Sequence, residues 1–84
     1  MTATHAQLLE AAQVVLMQWA PRARFVSVDR GRLEPCDTPE PGLPCWSIKD
    51  DRVPALLVAS VQMGHRYHGW NAALRDVQQE KRVS

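Results

Sequence analysis

The alternation of apolar and polar residues at the N-terminus predicts an amphipathic helix. Thr4 and Gln7 have the spacing of a capping box, in which a hydroxyl and an amide each satisfy a free backbone N–H group. Apolar residues then recur at helical spacing on one face: Leu8, Ala12, Val15, Leu16 and Trp19. Pro21 ends the helix, because its ring disfavours helical geometry at the preceding residue. Val14 and Met17 lie off this face, and we interpret them as scattered exposed residues rather than a contact surface.

The middle of the chain has the pattern of two or three antiparallel strands. Residues 24–29 are rich in β-branched and aromatic side chains and predict the first strand. A tight turn follows, in which Gly31 can take a positive φ, and residues 33–34 begin the return strand. Four prolines predict a loop or a polyproline-like arm over 35–44, because proline cannot donate to a β-ladder. Strand character resumes over 45–49.

The C-terminal third predicts one long helix. Asp50 and Asp51 offer an N-cap, and Pro54 is tolerated in a first helical turn. One apolar stripe can then be followed along a single helix face: Leu56, Ala59, Met63, Tyr67, Trp70, Leu74 and Val77.

The length of this helix raises a question of packing. Unbroken from about 53 to 81, it would be roughly 40 Å long, against a radius of gyration of about 12 Å for a compact chain of this size. It must therefore overhang the core, be covered by a second copy in a homodimer, or break near Gly64 and Gly69. Each glycine costs about 1 kcal/mol against alanine, but the continuity of the stripe favours one helix with at most a kink.

These elements predict an α+β fold in the order α-β-β-α, forming one small domain over residues 1–84. The small antiparallel sheet would carry both helices on one face. Trp19, Trp46 and Trp70 come from three different elements and are expected to meet in the core.

Composition and charge narrow the class of protein. The 84 residues are 45% hydrophobic and 23% charged, a balance typical of a folded globular domain. The net charge of +1 excludes a strongly basic nucleic-acid coat and an acidic DNA mimic. No apolar run approaches the ~20 residues of a membrane span, and the N-terminal residues lack the basic-then-apolar pattern of a signal peptide, so we expect a cytoplasmic protein. Arginine outnumbers lysine eight to two, which suits interfaces but is best explained by the codons of a GC-rich bacterial or phage genome.

Two cysteines and two histidines suggest a metal site, but the spacing argues against one. Cys36 and Cys45 bracket the proline loop, and in a cytoplasmic chain we expect both to be free thiols. With His65 and His68 they would supply a Cys₂His₂ zinc set. The cysteines are far outside the spacing of a zinc knuckle, so we predict no metal and no cofactor.

The segment 64–70 holds the densest cluster of functional side chains, and it does not indicate an enzyme. Its imidazoles could serve acid–base chemistry, but no nucleophile with a partnered base, no paired carboxylates and no phosphate loop accompany them. We therefore predict no catalytic residues. Either the cluster is a protein-binding surface, or Tyr67 and Trp70 lie in the core with the other side chains in water.

The leading hypothesis is a non-catalytic binding protein, an inhibitor or adaptor that acts on a larger bacterial protein or complex. Small phage or mobile-element proteins that block a host system, anti-CRISPR proteins among them, share this profile as a class, without any shared motif. The predicted partner-binding residues are His65, Arg66, His68 and Arg75.

The alternative hypothesis is a small regulator that contacts DNA through an arginine-tipped hairpin. Its candidate residues are Arg22, Arg24, Arg30 and Arg32. Asp29 and Glu34 would partly neutralise them, and the pI of about 7.9 lies below the range of dedicated nucleic-acid binders. Nucleic acid is therefore the less favoured partner, and a membrane is not expected.

Overall fold

A computed structural model describes the backbone of residues 2–83 and the side chains of residues 2–79. The elements are α1 (His5–Trp19), β1 (Phe25–Asp29), β2 (Arg32–Cys36), β3 (Cys45–Ser47), α2 (Val53–Gln62) and α3 (Trp70–Val83). The predicted α+β class is confirmed, but the order is α-β-β-β-α-α, and the predicted long C-terminal helix is wrong. None of the helices in the described part of the chain has both the length and the hydropathy to cross a bilayer.

The N-terminal helix α1 forms as its capping box predicts. The Gln7 backbone N–H donates to Thr4 Oγ1 at 3.1 Å, and the Thr4 N–H donates to Gln7 Oε1 at 2.9 Å. The helix ends at Trp19, with Ala20 as its C-cap before Pro21. Its buried face consists of Ala11, Ala12, Val15 and Leu16. Since α1 packs against both α2 and α3, it is the central helix of the domain.

The three strands form an antiparallel sheet in the order β2-β1-β3. Asp29 pairs with Arg32, which leaves a two-residue turn at Arg30 and Gly31 with φ values of 54° and 82°. Positive φ at both central residues is typical of a type I′ hairpin, so the predicted tight turn is confirmed.

The loop after β2 is shorter than the proline pattern indicates. Pro35 pairs with Val26 and Cys36 with Phe25, so β2 continues into the segment assigned to the loop, and only 37–44 is irregular. Pro35 is tolerated because β2 is an edge strand, where a missing N–H need not remove a ladder bond.

The predicted single C-terminal helix is broken between Gln62 and Trp70. Gly64 has a φ of 103°, which no right-handed helix accommodates. Its N–H donates to Val61 O at 2.9 Å, and the His65 N–H donates to Ser60 O at 3.2 Å. These two bonds form a Schellman motif, which satisfies the last carbonyls of α2 and ends the helix.

The two helices bury faces that do not form one stripe. The buried residues of α2 are Val53, Leu57, Val58 and Ser60. Those of α3, among its described side chains, are Trp70, Ala73 and Val77. On α2, Ala59 and Met63 of the predicted stripe are exposed. Leu56 and the C-terminal half of the stripe do contact the core, but Ala59 and Met63, which joined them in the pattern, face solvent. The single helix over 53–81, whose length made a homodimer one of the alternatives, therefore does not form.

The remaining sequence expectations are met in part. Trp70 is buried in the core, whereas Trp19 and Trp46 are half-buried and pack against it. The N-cap of α2 is Arg52 rather than one of the predicted aspartates, and its side chain makes no capping bond. Asp50 instead accepts the Arg52 N–H at 2.9 Å in the turn before the helix.

Candidate functional site

The β-hairpin turn and the connection between α2 and α3 meet in space. Met63 packs directly on Gly31, so closely that a Cβ at residue 31 would lie 2.5 Å from Met63 Cε. The same Cβ would lie 3.9 Å from His65 Nε2. The positive φ at residue 31 favours glycine, and a Cβ there would displace only the flexible end of the exposed Met63 side chain. The exposed and half-buried side chains of the two segments that meet here are named the hairpin–loop surface: Arg30 and Arg32 from the hairpin, and Met63, His65, Arg66 and His68 from the end of α2 and the connection.

Tyr67 fixes the connection to the outer edge of β2. Its hydroxyl accepts the Leu33 N–H at 2.8 Å, and Ser60 Oγ, 3.4 Å from the same nitrogen, is hydrogen-bonded to the tyrosine hydroxyl. The Arg32 guanidinium carbon lies 5.9 Å from the centre of the Tyr67 ring, within cation–π range. The Trp19 ring packs against the Tyr67 ring, with 5.7 Å between the two ring centres. The backbone of the connection is thus held in place by the contacts of Tyr67 with Leu33, Ser60 and Trp19.

The hairpin–loop surface carries more positive than negative charge. Arg30, Arg66 and His68 are exposed and His65 is half-buried. The Arg32 guanidinium already forms an ion pair within the protein, since its Nε lies 3.2 Å from Glu34 Oε1. Within residues 2–79, neither Arg30 nor Arg66 has a carboxylate within 4.0 Å. The surface therefore presents two guanidiniums that are free to bind an anion.

The structure unites some of the predicted site residues and separates others. Three of the four predicted partner-binding residues, His65, Arg66 and His68, belong to the hairpin–loop surface. Arg75 is exposed on α3, outside the connection between the two helices.

The four arginines of the DNA hypothesis do not form one cluster. Arg22 and Arg24 precede β1, whereas Arg30 and Arg32 follow it. The five residues of β1 span about 17 Å, so the two pairs lie at opposite ends of the strand.

Sequence reasoning missed Met63 as a surface residue. Met63 was assigned to the buried stripe, yet it is 66% exposed. The signal that could have found it is Gly64, because a glycine after an apolar helical run is typical of a C-terminal cap. A helix ending there leaves Met63 at its C-cap, at the surface.

The zinc candidates do not converge. Cys36 lies opposite Phe25, at the end of β1 farthest from the hairpin turn, whereas His65 lies against that turn. Both cysteines are free and half-buried. Burial raises the pKa of the Cys36 thiol and the nearby Cys45 thiol raises it further, which opposes the thiolate form that metals bind. No three histidine, cysteine or acidic side chains gather as a metal site among the residues the structure describes.

A concave feature lies beside the end of α1. It is an open groove of about 340 Å³ with Trp19 in its wall. Arg22 and Asp37 also line it and carry opposite charges, so the groove favours neither anions nor cations. Because its charges are balanced, the groove is a weaker candidate for a binding site than the hairpin–loop surface.

Comparisons with protein families, with curated proteins and with solved structures find no match for this chain. Functional inference therefore depends on the geometry of the hairpin–loop surface.

Proposed function

We propose that this protein is a non-catalytic binding module, an inhibitor or adaptor, that captures a larger bacterial protein through its hairpin–loop surface. The observation that carries the proposal is the contact between Gly31 and Met63, which joins the hairpin arginines to the residues after α2. An anti-defence role encoded by a phage or mobile element is compatible with such a module.

The residue types on this surface suit protein recognition. Arginine and methionine are enriched in the cores of protein interfaces, where planar donors and a flexible apolar side chain each have a use. Arg30, Arg66 and Met63 are all exposed, so a partner can reach them without rearranging the fold. Arg75 would lie at the margin of the interface, on α3.

The proposal is tested by affinity capture from bacterial lysate with matched charge reversals. R66E changes the hairpin–loop surface, and R24E makes the same change at the opposite end of β1. We expect R66E to lose the captured protein and R24E to retain it, with R75E intermediate. Circular dichroism spectra of all variants should match that of the wild type. If R66E retains the partner as well as R24E does, the surface is wrong.

Nucleic-acid binding remains the second candidate function. The two unpaired guanidiniums at the hairpin end favour it, because arginine binds phosphate as readily as carboxylate. The separation of Arg22 and Arg24 from that end disfavours it, because the four arginines do not form one concentrated basic patch.

A further inference from the structure

We infer that the hairpin–loop surface binds an acidic segment of a partner protein, with carboxylates on Arg30 and Arg66 and an apolar side chain on Met63. This inference rests on the proposed function and specifies the chemistry of the partner.

The first step is the charge of the surface. Arg32 is compensated by Glu34 at 3.2 Å, whereas the other two arginines of this surface, Arg30 and Arg66, have no carboxylate partner within the described side chains. The exposed Asp29 precedes Arg30 along the chain and offsets part of its charge. The remaining charge is positive, and a guanidinium presents paired donors that match the two oxygens of a carboxylate.

The second step is the apolar centre. Met63 is 66% exposed, and its thioether lies on Gly31, between the hairpin and the residues that follow α2. A flexible thioether adapts its shape to an apolar partner side chain. A segment that contains both acidic and apolar residues would complement the charge and the apolar centre together.

The third step is the rigidity of the frame. The type I′ turn fixes the backbone of Arg30, and the Schellman motif fixes the backbone just before Arg66. The Leu33 N–H bond to the Tyr67 hydroxyl ties the two segments to each other. A surface ordered before binding loses less entropy when a partner docks.

An acidic polypeptide fits this surface better than a nucleic acid does. Asp29 and Glu34 lie among its arginines and would repel a continuous phosphate backbone. A peptide can place its carboxylates away from these two acids, and Met63 gives it an apolar contact that a phosphate backbone cannot use.

The test uses a short peptide of glutamates and leucines, its counterpart with glutamine for glutamate, and a short DNA duplex. Backbone amide signals of Gly31, His65 and Arg66 are followed by NMR in the full chain during titration with each probe. We expect the glutamate peptide to shift these signals and the glutamine peptide to leave them unchanged. R30Q and R66Q should each weaken binding of the acidic peptide about fivefold, and R24Q should not change it.

Three outcomes would overturn the inference: no shift with the acidic peptide, equal shifts with the glutamine peptide, or larger shifts with the duplex. These outcomes are separate from failure of the proposed function. If R66E abolishes capture of a partner from lysate while the acidic peptide does not bind, the surface is correct and the partner chemistry is wrong. If R66E leaves capture intact, the proposed function fails whatever the peptide does.

Discussion

Arg30 occupies a backbone conformation that its side chain disfavours. Its φ of 54° is the one positive value at a non-glycine residue in the described part of the chain. Asparagine tolerates this left-handed region and is preferred at the first central position of a type I′ turn. We expect R30N to raise the free energy of unfolding by about 0.5–1 kcal/mol, measured by urea denaturation. R24N, at an exposed position outside the turn, should change it by less than about 0.5 kcal/mol. A loss of stability in R30N would contradict this account of the turn.

Asp50 is a carboxylate whose pKa is lowered mainly by Arg52. Arg52 donates to it from Nε at 3.0 Å and from Nη2 at 2.8 Å, and these bonds hold the pKa of Asp50 well below its usual value of about 3.9. Because the folded-state pKa is lowered, the resulting stabilisation is present above pH 4 or so and is lost as the pH falls through the lowered pKa.

The expected result is a rise in the pKa of Asp50 when Arg52 is replaced. NMR titration of the Asp50 carboxyl carbon should show the pKa moving upward, toward its ordinary value, in R52Q. The stability difference between wild type and R52Q should shrink in acid. R22Q removes an exposed arginine elsewhere and serves as the control. An unchanged Asp50 titration in R52Q would show that the pair does not form in solution.

At the scale of elements, the Tyr67 hydroxyl closes the outer edge of the sheet. Leu33 belongs to the edge strand β2, and its N–H is shared between Tyr67 and the buried Ser60. We expect Y67F to lower the free energy of unfolding by about 1 kcal/mol, because Leu33 and Ser60 each lose a partner. Hydrogen exchange of the Leu33 amide should accelerate.

The shared N–H predicts that Tyr67 and Ser60 act together. The effects of Y67F and S60A should not add, because either change alone disrupts the same three-group network. Strict additivity in the double variant, with no change in Leu33 exchange, would mean that the network does not stabilise the sheet edge.

Which elements could be predicted depends on how local their signals are. The capping box of α1 and the glycine of the hairpin turn involve residues that are neighbours in sequence, and the structure confirms both. The break after α2 also has a local signal at Gly64, but the long stripe concealed it. The contact of Met63 with Gly31 could not be predicted, because it joins residues 32 positions apart and depends on how α2 packs on the sheet.

At the scale of the whole molecule, the helix break changes the functional argument. A single long helix would have placed a surplus apolar face beyond the core. The Schellman motif instead turns the chain after α2 toward the hairpin, and both flanking helices pack on α1. Two sets of candidate residues, from the hairpin and from the segment after α2, thereby become one surface. The candidate site is a product of the fold, and neither set alone indicates it.

The charge on that surface predicts how binding depends on salt. A protein partner held by Arg30, Arg66 and an apolar contact at Met63 loses only screened ion pairs when salt increases from 50 to 200 mM, and we expect its affinity to fall by about tenfold or less. A nucleic acid held through many phosphates would lose about a thousandfold or more over the same range, because counterion release dominates its binding. Titration calorimetry of the captured partner across this range separates the two. M63Q should weaken binding equally at both salt concentrations, since it removes an apolar contact without changing charge. A steep salt dependence together with an unaffected M63Q would assign the surface to nucleic acid instead.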